Sequence, residues 1–240
     1  MNISLSGHFR GILFDVGWTL VYPDPTRDAA IQAVLREQGF YIPPAVWDEG
    51  YRAAEAFYLA RRWQPETRQN LRAFWFGYYS ELLASLSPAI RDGGLVALLM
   101  QEVEKAVRWN LYPDTLEVMS ELRSRGFGLG AVSNWNQGLP ALCQEWGLAP
   151  YLDALVVSDV AGFHKPDRRI FELVLRALRV SASRTLHVGD DYVADVEGAR
   201  AVGITPVLID RDGRYEEIQC LRVDSLLTLL SFVGWPCRSS

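Results

Sequence analysis

From residue 112 onward, short apolar runs of strand length alternate with stretches that carry helical spacing. The pattern reads as helix 115–124, strand 129–133, helix 137–146, strand 154–158, helix 167–178, strand 185–189, helix 193–201, strand 206–210 and helix 225–232. Alternation at this spacing implies βαβ crossovers and a parallel sheet covered on both faces. Residues 9–15 form one more apolar run, rich in Ile, Leu and Phe, which must join that sheet because a lone strand has no hydrogen-bonding partner. The expectation is an α/β core built on a doubly wound parallel sheet.

Between the first strand and the rest, residues 26–110 change to helical spacing throughout. Thr26 is suited to an N-cap, and Gly39 to a C-terminal stop. Residues 71–86 are apolar nearly all round through Phe74, Trp75, Phe76, Tyr78, Tyr79, Leu82 and Leu83, as in a helix buried among others. This predicts an inserted, purely helical domain over 22–110, with the sheet domain made of 1–21 and 111–240. Trp47, Tyr51, Phe57 and Tyr58 belong to its core. Arg52, Arg61, Arg62, Arg68 and Arg72, gathered around Trp63, read as solvated charges.

The balance of charge limits the partners. Basic residues number 24 against 29 acidic ones, a net charge of -5, which offers no cationic footprint for nucleic acid. The most apolar early stretch, 11–22, carries Asp15 in its middle, so neither a signal peptide nor a membrane span is expected. Cys143, Cys220 and Cys237 are too few and scattered for a disulfide framework and read as reduced thiols of a cytoplasmic protein. Only two lysines occur, Lys105 and Lys165, so each can be weighed singly. Lys105 reads as a solvated helix charge.

In parallel sheets ligands bind beyond the C-terminal ends of the strands, where strand order reverses. The residues at those ends are Asp15, Ser133 with Asn134, the segment from His164 to Asp167, and Gly189-Asp190-Asp191 followed by Asp195. Several carboxylates gathered in a partly desolvated site repel and raise one another's pKa values. A cation is therefore expected among Asp15, Asp190, Asp191 and Asp195, and an all-oxygen donor set suits Mg²⁺ meeting a substrate phosphate. Lys165 adds a second positive centre. Ser133 and Asn134 can donate to phosphate oxygens. His164 reads as a loop residue and His187, inside a strand, as a satisfied core histidine.

Four ordered segments, residues 15–20, 132–134, 165–166 and 189–199, resemble the motifs of the haloacid dehalogenase superfamily of hydrolases. The resemblance implies a Rossmann-like core and, for the helical insertion, the cap of the subfamily in which the cap lies between the first and second motifs. It further implies Asp15 as nucleophile, Ser133 as a phosphate-oxygen donor, Lys165 as charge stabiliser and Asp195 as a supporting acid. Asp15, Asp190 and the Gly17 carbonyl would be the metal ligands, and a small phosphorylated metabolite the substrate.

One position departs from that pattern. Family phosphatases normally carry a second aspartate two residues after the nucleophile, where this chain has Gly17. General acid–base catalysis by a placed side chain is worth about 10²–10⁴-fold, so the loss is consequential. Three readings follow: a phosphatase that needs little leaving-group protonation or borrows an acid from the cap or from Tyr22 or Asp24; a metal-independent haloacid dehalogenase, whose halide departs without an acid; or a phospho-ligand-binding regulatory protein with impaired turnover. The metal-binding form of residues 189–191 argues against the second. A Schiff-base chemistry finds no suitable lysine, because Lys105 lies near the far end of the insertion.

Overall fold

The strand β1, Gly11–Phe14, is buried along its whole length, as a short apolar run must be when helices cover both faces of its sheet. A computed structural model describes residues 9–62, 64, 70–87, 90, 92–216 and 218–234. Trp63, Arg68 and Cys237 lie outside the described residues. The chain divides into two compact units, residues 1–22 with 110–240, and residues 23–109.

The first unit is built on a six-stranded sheet. After β1 come β2 (Val21–Asp24) and β3 (Arg108–Leu111), which pair with each other as a separate two-stranded ribbon where the chain leaves and re-enters this unit. The sheet continues with β4 (Gly128–Ser133), β5 (Ala154–Val157), β6 (Thr185–Gly189), β7 (Thr205–Ile209) and β8 (Leu221–Val223). Strand order is β5-β4-β1-β6-β7-β8 and every neighbouring pair is parallel. The chain thus winds outward from β1 through β4 to β5, then crosses to β6 on the opposite side. That reversal places the switch point on β1.

Each crossover helix is held by an apolar stripe. In Arg168–Leu178 the stripe is Ile170, Phe171 and Val174, which packs with Leu13 of β1 and Val132 of β4. Burying such side chains contributes about 1.5–3 kcal/mol each. Asp167 caps this helix by accepting from the Arg169 amide at 3.0 Å, which sets where the preceding Lys165 loop ends.

The second unit contains the helices Arg27–Glu37, Pro44–Arg61, Leu71–Leu86 and Gly93–Ala106. Its core gathers Ile31, Leu35, Trp47, Tyr78, Leu82 and Leu99, with Tyr51, Phe57 and Tyr58 packed against it. Arginine here does more than face water. Arg61 lies over the Phe57 ring at 4.2 Å and Arg62 over Tyr58 at 5.4 Å, while Arg52 and Arg72 are exposed. Lys105 is paired at the surface with Glu102.

Several segments differ from the sequence reading, among them residues 22–24, expected in the helical insertion, which belong to β2. Residues 108–110, expected in the helical block, belong to β3, whose residues are only half-buried or exposed. The edge strand β8 was not expected, because only Leu221 and Val223 are apolar in its three residues. No helix among the described residues is long and apolar enough to cross a membrane. Cys143 and Cys220 are free, and burial pushes the Cys143 thiol up to about 11.

Candidate active site

The three central strands end side by side, which brings together residues far apart in the chain. Phe14 pairs with Ala131 of β4 on one side and with Val188 of β6 on the other. Asp15, Ser133 and Asp190 therefore leave the sheet within a residue or two of one level. The Asp15 amide still donates to the Val188 carbonyl at 2.8 Å, so the residue prolongs the strand while its carboxyl reaches past it. Ser133 Oγ donates to Asp15 Oδ1 at 3.0 Å.

Lys165 arrives from the loop beyond β5. Asn134 holds that loop through two hydrogen bonds, accepting from the Lys165 amide at 2.8 Å and donating to the Lys165 carbonyl at 3.0 Å. The side chain of Asn134 is thus engaged with the backbone of the lysine. Lys165 Nζ donates to Asp15 Oδ1 and to Asp195 Oδ1, each at 2.6 Å. Burial opposes its charge, but Asp15 and Asp195 hold the ammonium protonated well above the usual lysine range.

Asp195 is presented by an irregular helix start. Asp191 caps it by accepting from the Ala194 amide at 2.8 Å, and Tyr192–Glu197 form one wide π-type turn before Gly198–Ala201 continue as α-helix. This turn places the Asp195 carboxylate against the end of β6, where Oδ2 accepts from the Asp191 amide at 3.0 Å. A Cβ on Gly189 would lie 2.2 Å from the Asp195 carboxyl carbon, so β6 ends on a residue without one. Burial disfavours the ionised form, yet Lys165 and a hydrogen bond from His187 keep the Asp195 carboxyl well below the usual carboxylate range.

Asp190 faces the same cluster from β6. One carboxyl oxygen of each of Asp15, Asp190 and Asp195 lies within 4.8 Å of the others. Arg214 donates to Asp190 Oδ2 at 3.1 Å, and Tyr215 Oη donates to its carbonyl at 3.1 Å. Both belong to the loop after β7, which Asp210 closes by accepting from the amides of Arg214 at 2.7 Å and Tyr215 at 3.2 Å. Burial, then the charges of Asp15 and Asp195, push the Asp190 carboxyl up to about 8 against the pull of Arg214. For Asp15, burial raises the carboxyl, Lys165 pulls against it, Asp195 adds to it, and the net direction is upward.

Gly17 lies in a tight loop after β1, in which the amides of Leu20 and Val21 donate to the Val16 carbonyl at 2.8 Å and 3.0 Å. Trp18 follows in the left-handed region, φ 58°, which is uncommon for a residue with a side chain. Arg211 secures the loop by donating to the Thr19 carbonyl at 3.0 Å while forking onto Asp114 at 3.0 Å and 3.2 Å. Arg214, Tyr215 and Arg211 were not expected from the sequence. The end of β7 points directly at the loop that carries them, by the same rule that marks Asp15, Ser133 and Asp190. His187 is buried as expected, but it is bonded to Asp195 rather than to its own strand's surroundings.

The donor chemistry fits a hard divalent cation. Asp15, Asp190 and Asp195 bring three carboxyls to one place, and Lys165 with the half-exposed Arg214 are the cations beside them. Two of the three carboxyls are driven toward protonation, so an added positive charge would let both ionise. With Asp195 occupied by Lys165, His187 and the Asp191 amide, Asp15 and Asp190 remain the carboxyls suited to it.

A family model described as haloacid dehalogenase-like hydrolase matches residues 9–203. The chain belongs to the haloacid dehalogenase-like hydrolases. Within them it is 32% identical over 212 residues to a phosphoserine phosphatase of Thermus thermophilus, covering 82% of this chain and 80% of that one. It is 27% identical to human haloacid dehalogenase-like hydrolase domain-containing protein 3, over 83% of this chain and 81% of the relative. Among solved structures, the magnesium-bound HAD-hydrolase YfnB of Bacillus subtilis superposes with a TM-score of 0.72 at 21% identity, covering 93% of this chain and 98% of that one. As a haloacid dehalogenase-like protein the chain is a hydrolase.

Proposed function

We propose that this hydrolase is a Mg²⁺-dependent phosphatase of small phosphate monoesters that works through a phospho-aspartate on Asp15. The observation that carries the reading is the buried bridge from Asp15 through Lys165 to Asp195, with Asp190 beside it. A carboxylate kept in place by an ammonium and a hydroxyl, and surrounded by more negative charge than those can balance, suits a reaction whose substrate arrives with a cation. The Thermus relative, a phosphoserine phosphatase, supports the same class of substrate.

In this reading Asp15 attacks phosphorus, an oxygen–phosphorus bond forms, and the bond to the leaving oxygen breaks. Lys165 stabilises charge on the transferred phosphoryl group, and Ser133 turns its hydroxyl to a phosphoryl oxygen. Asp195 keeps Lys165 in place, and Asn134 anchors the loop that delivers it. Water then releases phosphate and restores the carboxylate. Asp15, Asp190 and the Gly17 carbonyl would hold Mg²⁺, which supplies charge neutralisation at the phosphate. Gly17 brings no proton, so alkyl leaving groups are expected to depart slowly.

The metal-independent dehalogenase reading is disfavoured by the placing of Asp190 beside Asp15 and Asp195, with one oxygen of each within 4.8 Å of the others, an all-oxygen donor set that has no role where no cation enters. The test is a phosphate-release screen over small monoesters, with and without Mg²⁺, for the wild type and Asp15→Asn. Mg²⁺-dependent release that disappears in Asp15→Asn is the expected result. Halide release from a 2-haloacid without metal, or undiminished phosphate release by Asp15→Asn, would overturn the reading.

A further inference from the structure

His187 occupies the centre of β6 between Leu186 and Val188, with none of its surface exposed. An apolar side chain would fill this place with no polar atom to satisfy. The imidazole instead leaves Nδ1 buried without a hydrogen-bond partner among the described residues, a condition that costs about 1–3 kcal/mol. Its ring stands edge-on to Phe171, with centroids 5.1 Å apart at 84°, so packing alone gives no reason for a nitrogen. Its polar bond is made by Nε2, 2.9 Å from Asp195 Oδ1.

The direction of that bond follows from its partner. Asp195 is held ionised by Lys165 and can only accept, so His187 donates from Nε2. The carboxylate then takes three donors from three parts of the chain: Lys165 Nζ and His187 Nε2 on Oδ1, and the Asp191 amide on Oδ2. Lys165 divides its ammonium between Oδ1 of Asp195 and Oδ1 of Asp15 at equal distance. Without His187, Oδ1 would keep Lys165 as its single donor and lose its anchor on β6, so the point at which Lys165 is shared with Asp15 would no longer be fixed.

We propose that His187 is a positioning residue, whose Nε2–H fixes the Asp195 carboxylate so that Lys165 stays shared with Asp15. The proposal rests on the reading of Asp15 as nucleophile and Lys165 as its charge stabiliser. Partners that orient metal-ligating side chains from behind typically change activity about 10–100-fold when removed, and the same scale is expected for a partner that orients a charge stabiliser.

Two replacements separate the hydrogen bond from the packing: His187→Phe keeps a ring against Phe171 and removes the donor, and His187→Gln offers an N–H near the place of Nε2. With both shown to be folded by circular dichroism, His187→Phe should lower kcat on a phosphate monoester about 10–100-fold at nearly unchanged KM. His187→Gln should recover most of it. Equal losses in the two variants, or none in His187→Phe, would overturn the proposal.

A second readout needs no turnover. The chain has two lysines, so a ¹⁵N-lysine spectrum resolves the ammonium of buried Lys165 from that of exposed Lys105. The Lys165 signal should shift in His187→Phe and return toward its wild-type place in His187→Gln; an unmoved signal in His187→Phe overturns the proposal even if no phosphatase activity is found. Should His187→Phe not fold, the ¹⁵N-histidine spectrum of the wild type decides, with the Nε2–H tautomer supporting the proposal and the Nδ1–H tautomer refuting it.

Discussion

Lys165 Nζ stands 2.6 Å from Asp15 Oδ1, and the lysine side chain is 2% exposed, so the ion pair works where water cannot share in it. Removing one partner of a buried pair leaves the other charge uncompensated, at a cost of about 3–5 kcal/mol. Lys165→Met is therefore expected to be inactive and strongly destabilised at pH 7. The pH dependence has a definite sign. Asp195 sits below the usual carboxylate range in the folded protein, so its contribution is present above roughly pH 4 and fades as the pH falls. Urea unfolding should show a large gap between wild type and variant at pH 7 and a smaller one at about pH 2, where Asp195 is losing its charge, and equal gaps would contradict the ion-pair account.

Asp190 moves the other way. Its carboxyl is pushed up to about 8, so between roughly pH 4 and pH 8 the folded chain binds more protons than the unfolded one, and this group makes stability fall as pH rises. Asp190→Asn is expected to lessen that slope and raise the melting temperature of the metal-free protein at pH 8. Mg²⁺ should take up Asp190 as a carboxylate and release protons near neutrality, so the calorimetric binding heat should vary with the ionisation enthalpy of the buffer. A heat independent of buffer would remove the coupling.

The parts of this site that were legible in the sequence are those set by one strand and its end. A fully buried strand such as β1 has to be a continuous apolar run, so the first polar residue after it, Asp15, marks the ligand-binding edge of the sheet. Ser133 and Asp190 follow by the same rule. What was hidden depends on geometry that periodicity does not encode. The wide turn of Tyr192–Glu197 departs from the 3.6-residue period, so nothing in the spacing brings Asp195 back onto His187, eight residues earlier in a different element. Arg214 reaches Asp190 only because Asp210 gathers two amides and folds its loop back. β3 and β8 are half-exposed, and their mixed composition carries no strand signal.

Gly17 supplies no proton, and the reaction should betray this in its leaving groups. Hydrolysis of aryl and acyl phosphates is expected to exceed that of alkyl phosphates, with kcat/KM, which reports the step that expels the leaving group, rising steeply as the leaving-group pKa falls. In Gly17→Asp a carboxyl returns to the loop, and the dependence should flatten with gains of up to about 10²–10⁴-fold confined to poor leaving groups. A flat dependence in the wild type would show that another acid already serves.

Gly189 tests how closely the site is built. An added Cβ would lie 2.2 Å from Asp195 Cγ and 2.3 Å from Oδ2, and the atoms it meets belong to a carboxylate already fixed by Lys165, His187 and the Asp191 amide. The carboxylate cannot swing aside without giving up donors in a place that is 1% exposed. Overpacking of a close-packed interior commonly costs about 1–3 kcal/mol, and loss of buried hydrogen bonds to a charged group adds to it. Gly189→Ala is thus expected to lower the midpoint of urea unfolding and to abolish turnover together, while Gly93→Ala, with nothing within 4 Å of its added methyl, changes neither. A stable Gly189→Ala protein that kept full activity would mean that Asp195 is not held against β6 and that Lys165 is placed by other means.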